Sequence, residues 1–252
     1  MALRIFLLVS GASVFGAVLW LVMRWPTGSI GHVAGAAMIV SGAFAAAGPL
    51  SRAAGPMRAA VAALGVCLIG AVAEIAGLYW GFFGAYAYTD FWQPSVYLPG
   101  GLVFPLLLPV AWFVILAACY SYARQRLGSP AAVFAGALVA TLTDLVAEAV
   151  LTGPVGFWVW LEPAPLLGAP IWNPVGWFMT ALLGCSWVAL ITGARNPIGN
   201  EPVWMLSGAL IGTAVIGATH SELRGLWSLV LLVPLLAWRA RSLSPVRDEG
   251  TV

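Results

Sequence analysis

Residues 59–80 read AAVAALGVCLIGAVAEIAGLYW, apolar from end to end apart from one carboxylate, Glu74. About twenty such residues, rising roughly 1.5 Å each as a helix, cross the ~30 Å hydrocarbon core of a bilayer. The run is continuously apolar rather than alternating, which selects a helix over a barrel strand. Seven further runs have the same character: 3–23, 30–50, 101–120, 131–151, 173–192, 203–219 and 226–238. Composition agrees with them. Of 252 residues, 62% are hydrophobic and 8% charged, whereas soluble domains carry about 25% charge. A water-soluble fold could not hide that much apolar surface. The sequence predicts an all-α polytopic transmembrane bundle of about eight helices, or seven if the short last run does not cross. It reads as a single domain over residues 1–252 with a polar tail at 239–252.

The arginines, eleven with no lysine, give an independent check on the count. With eight spans, Arg4, Arg52, Arg58, Arg124, Arg126, Arg195, Arg239, Arg241 and Arg247 fall on one side, and only Arg24 and Arg224 on the other. That bias places both termini in the cytoplasm. With seven spans three arginines change sides and the bias disappears. The first run is long, ends at Arg24-Trp25-Pro26 and lacks a small-residue cleavage site, so it reads as a retained helix. A net charge of +2, evenly spread, argues against nucleic acid as a partner. Cys67, Cys119 and Cys185 are isolated within spans, and only His32 and His220 are present, so no metal centre is expected.

Charge inside a span costs a few kcal/mol on insertion scales and asks for a reason. Three carboxylates lie well inside: Glu74 in the third run, and Asp144 and Glu148 in the fifth. Asp144 and Glu148 are spaced i, i+4 and share a helix face. Both runs head outward, and Glu74 and Asp144 each stand about seven residues before the outer end, at one depth. Two such carboxyls on one face can share a proton and serve as acid and base. Alternatively, all three bond across helices and only hold the bundle together.

The two long loops, 81–100 and 152–172, lie on the same outer side and concentrate aromatics: Tyr86, Tyr88, Tyr97, Phe157, Trp158 and Trp160 among them. They form either an interfacial belt or a slot for a long, flat apolar ligand. Asn173 precedes Pro174 at an expected helix start, where an N-cap is the simplest role. His220, Glu222, Asp90, Glu162 and Glu201 read as water-facing loop residues, and the glycines as helix-packing positions.

Two stretches carry a resemblance. The first is Glu74-Ile-Ala-Gly77-Leu-Tyr-Trp-Gly81-Phe-Phe-Gly84-Ala-Tyr86-Ala-Tyr88-Thr89, followed by Pro105, Pro109 and Trp112. The second is Asp144-Leu-Val-Ala-Glu148, then Gly156-Phe-Trp158-Val-Trp160, then Gly168-Ala-Pro170-Ile-Trp-Asn173-Pro-Val-Gly176-Trp177. In this order they resemble the carotenoid-biosynthesis membrane family that includes the bacterial CruF-type carotenoid hydratases. Phe82-Phe83 stands where that family usually has Pro-Phe, and Ala149 where proline is usual.

The resemblance implies cofactor-independent hydration of a terminal isoprenoid double bond, in an acyclic or monocyclic carotenoid such as lycopene, to a tertiary alcohol. Glu74, Asp144 and Glu148 would be catalytic. Tyr86, Tyr88, Trp112, Trp158, Trp160, Asn173 and Trp177 would line the substrate site. The expected partners are a lipophilic carotenoid, the lipid bilayer and other pathway enzymes. Three rivals remain open: a membrane cyclase that quenches the same cation by ring closure, a small proton-coupled transporter with a carboxyl relay, and a non-catalytic scaffold.

Overall fold

In a computed structural model of the chain, the described residues are 1–23, 28–89, 92–193, 195–197 and 199–240. Arg24, Asp90, Phe91 and most of the polar tail lie outside them. The chain is a transmembrane helix bundle. Its α-helices are α1 (Ala2–Met23), α2 (Gly28–Ala54), α3 (Pro56–Trp80), α4 (Leu108–Arg124), α5 (Ser129–Thr152), α6 (Trp172–Thr192), α7 (Glu201–Thr219) and α8 (Trp227–Ala240). By length and composition α3, α5, α6 and α7 can each cross a membrane; α4, Ala2–Gly16 and Leu223–Trp238 are shorter apolar helices.

Glycine and proline set the helix ends. α3 starts with Pro56 at a position that needs no N–H, and ends where Gly81 (φ 66°) turns left-handed and returns its N–H to Gly77 O. Pro109, Pro130 and Pro202 occupy the same early position in α4, α5 and α7. α4 is the central helix. It packs against α2, α3, α5, α6 and α7, and every residue from Leu116 to Ala123 is buried. Small residues let its neighbours approach. A Cβ on Gly70 of α3 would lie 2.6 Å from Trp112 Cγ on α4. Gly70→Ala is therefore expected to cost about 1–3 kcal/mol through overpacking, read as a lower unfolding midpoint in detergent.

The fourth expected span is the one whose start is displaced. Residues 101–107 are not helical: β3 (Leu102–Pro105) pairs antiparallel with β2 (Ser95–Leu98), and α4 begins at Leu108. The turn at Gly100 (φ 85°) and Gly101 (φ 77°) folds the chain back, and Pro105 has no N–H to continue a helical ladder. Tyr79 Oη ties this hairpin to α3 by donating to Pro99 O at 2.7 Å. A second ribbon joins the two long loops. β1 (Tyr86–Tyr88) pairs antiparallel with β4 (Trp158–Trp160), with Tyr86 opposite Trp160 and Tyr88 opposite Trp158. That pairing puts the C-terminal ends of α3 and α5 at one end of the bundle.

At the other end, Arg52 Nη2 bonds Glu201 Oε1 at 2.6 Å, so Glu201 opens α7 in an ion pair rather than standing alone in a loop. Back at the ribbon's end, in the turn after α7, Glu222 also has a partner. Its oxygens bond Arg224 at 2.7 Å, and the guanidinium holds its carboxyl below the usual range.

Candidate active site

Side chains alternate along a strand, so Tyr86 and Tyr88 leave β1 on one face and Trp158 and Trp160 leave β4 on one face. These four rings pack edge to face: Tyr86 on Tyr88 and on Trp160, each at 5.4 Å between centroids, and Tyr88 on Trp158 at 6.2 Å. Their polar tips reach two buried carboxyls on two different helices.

Glu74 on α3 receives one set. Tyr86 Oη and Tyr88 Oη donate to its Oε2 at 2.7 and 2.6 Å, and Trp112 Nε1 donates to Oε1 at 2.8 Å. Glu148 on α5 receives the other. Trp158 Nε1 and Trp160 Nε1 donate to its Oε1 at 2.9 and 2.7 Å. Asn173 Nδ2, from the first turn of α6, donates to Glu148 Oε2 at 3.2 Å and to Asp144 Oδ2 at 3.3 Å.

The three carboxyls are therefore served unequally. Glu74 and Glu148 have donors on both oxygens. Asp144 has one long, shared bond, and among the described residues no donor reaches its Oδ1. Every donor is neutral, drawn from Tyr, Trp or Asn. The packed rings of Tyr86, Tyr88, Trp158 and Trp160 join Glu74 on one side to Glu148 on the other. Burial of Glu74, Asp144, Glu148 and Asn173 keeps bulk water from screening these interactions. Chemically, such a site can hold a proton on a carboxyl and meet a developing cation with carboxylate and aromatic π-density.

All ten residues named from the sequence stand in this one cluster; Trp177 joins it through Trp112, on which it stacks with centroids 4.0 Å apart. Asn173 is not an N-cap. α6 starts at Trp172, and the amide side chain is spent on the two carboxyls. Phe83 is an addition that sequence reasoning missed. It is buried, stacks on Trp112 at 6.1 Å, and would meet a Cβ placed on Gly77 at 2.8 Å. Gly77 thus makes room for Tyr86 Oη and Phe83, and Gly176 for Phe83, rather than for another helix. Thr89 was quoted in the motif but given no role; its Oγ1 donates to Gly156 O at 2.6 Å and fastens the end of the ribbon.

No curated protein and no solved structure matches the chain. A family model described as "Carotenoid biosynthesis protein" matches residues 34–238, which takes in every element from α3 to α7 and all three carboxyls. With four-fifths of its length inside that match, the chain belongs to the carotenoid biosynthesis protein family.

Proposed function

We propose that the chain is a carotenoid hydratase, adding water across a terminal isoprenoid double bond without a cofactor. Asp144 delivers its proton to the less substituted alkene carbon, and the π pair forms the new C–H bond. The positive charge falls on the tertiary carbon, where carboxylate and the rings of Tyr86, Tyr88, Trp158 and Trp160 stabilise it. A water oxygen bonds that carbon and loses a proton, which returns to the Asp144–Glu148 pair. One water is consumed for each tertiary alcohol formed.

The observation that supports this assignment is the unequal service of the carboxyls. Asp144 has an oxygen with no donor among the described residues, whereas those of Glu74 and Glu148 are all engaged. A carboxyl oxygen with no donor can turn its proton to the substrate without giving up a hydrogen bond. Glu148 is then the partner carboxylate that shares the Asn173 amide with Asp144, and the proton released by water ends on Asp144, which restores the acid. Glu74 anchors the ribbon and adds negative potential. Trp112, Trp177 and Asn173 shape the pocket.

The arginine bias supports cytoplasmic termini in a bacterial inner membrane, which puts the carboxyls in the outer half of the bilayer, near water yet reached by a lipid-dissolved polyene. Other pathway enzymes are the natural neighbours of such a chain.

Pigments from lycopene-producing cells with and without the chain, separated by chromatography and weighed by mass spectrometry, test the reading. The expected product is heavier than its precursor by one water per modified end. An isomer of unchanged mass would instead mean ring closure at the same site.

A further inference from the structure

The layer formed by residues 81–107 and 152–171 is built unlike a water-facing loop layer. Its described residues, 81–89, 92–107 and 152–171, hold one charged residue, Glu162, and no arginine. Most of its outward side chains are apolar or aromatic, Tyr97 at 73% exposed, Leu161 at 67% and Val159 at 46%, with Gln93 the exposed polar exception. Val159 alternates with Trp158 and Trp160, so the ribbon turns its polar tips inward to the carboxyls and an apolar face outward. The opposite end of the bundle carries more charge, with Arg52, Arg58, Arg124, Arg126 and Glu201 near its helix ends, whereas at the layer's own end Glu222 and Arg224 neutralise each other in the turn after α7.

The apolar surface is also continuous with the sides of the helices. On α6, Trp172, Val175, Met179 and Leu183 are exposed at helical spacing, one lipid-facing stripe that runs up into the layer. On α3 the stripe of Leu64, Leu68 and Val72 ends at Trp80, 81% exposed, beside the hairpin that Tyr79 holds. Trp and Tyr at this level suit the headgroup region, where an amphipathic ring is half wet. Both sheets have only two strands, so their outer edges keep unpaired N–H and C=O groups that hydrocarbon would not tolerate.

We infer that this layer is itself a membrane-contact surface, seated in the headgroup zone of the bilayer rather than projecting into water. The partner is the lipid surface, and the two-stranded sheets stop short of the acyl chains. The layer then roofs the carboxyl site from within the membrane, leaving lateral passage along α3 and α6 as the way in for a lipid-dissolved molecule. This holds whatever reaction the carboxyls perform.

The test places a nitroxide on a single added cysteine at Tyr97, Val159 or Leu161, in the full chain carrying Cys67→Ala. Cys119 and Cys185 are buried, and the chain without an added cysteine sets the background. Leu183→Cys on α6 is the lipid reference and Gly128→Cys, between α4 and α5, the water reference. In phosphatidylethanolamine–phosphatidylglycerol vesicles, the ratio of oxygen to nickel-chelate relaxation at the three layer labels should fall between those at Leu183 and Gly128, well above the latter. Nickel access equal to that at Gly128 would put the layer in water. Loss of access to both agents, with dipolar broadening removed by unlabelled chain, would mean that a second copy covers it. Either result overturns the inference, and agreement among three positions guards against one variant that misfolds.

Discussion

Asp144→Asn is expected to lower hydration at least about a hundredfold, the usual worth of a positioned general acid, while leaving the protein in the membrane and folded. The two effects separate because of what Asp144 does not do. Its one hydrogen bond is long and shared, Asn173 Nδ2 to Oδ2 at 3.3 Å, and an asparagine carbonyl can accept it equally well. Losing that bond altogether would cost only about 1 kcal/mol inside a membrane. What asparagine cannot supply is an acidic proton. The measurement is product per cell by chromatography, normalised to membrane-bound protein by immunoblot, alongside the unfolding midpoint in detergent. Full product from the variant would remove Asp144 as the acid and pass that role to Glu148.

Glu74→Leu should give the opposite pattern, a structural failure. The leucine is close in volume but accepts nothing, so Tyr86 Oη, Tyr88 Oη and Trp112 Nε1 all lose their buried partner together. Hydrogen bonds between membrane helices are worth about 0.6 kcal/mol on average and up to ~1.7, so three of them amount to roughly 2–5 kcal/mol. The loss also unpins β1 from α3 and α4, and with β1 goes its pairing to β4. Unfolding in mixed micelles of rising denaturing-detergent fraction should shift to a clearly lower midpoint. Glu74→Gln, which keeps an oxygen for two of the three donors, should fall between. A Glu74→Leu midpoint equal to that of the parent would show that the nest carries no load.

Much of this was legible in the sequence because two periodicities lay open to view. The i, i+4 step from Asp144 to Glu148 puts both on one helix face whatever surrounds them. Tyr86-Ala-Tyr88 and Trp158-Val-Trp160 each repeat at two, the spacing that sends both rings of a strand the same way. The pairing of those two short segments was not legible. It joins residues about seventy positions apart through three residues a side, too little alternation to announce a strand. Residues 101–107 misled for a related reason: hydropathy counts Leu102, Val103, Phe104 and Leu106 as span, although Gly100-Gly101 and Pro105 already break it. Asn173 misled because an asparagine before proline at a helix start has an ordinary local use. Only the third dimension places two carboxyls within its reach.

The ribbon between β1 and β4 also imposes an order on the making of the protein. Glu74 finds all its donors within the next 38 positions, so its nest can close once α4 has left the ribosome and entered the bilayer. Glu148 must wait for Trp158, Trp160 and then Asn173, the last of which arrives with α6. The nascent chain thus carries one finished half while the other is still being synthesised. β4 is the clasp that joins them, since it pairs with a strand already anchored by the earlier half. A chain stopped before Asn173 would keep the first nest and leave Asp144 and Glu148 without an amide donor, inserted but without a complete reaction centre.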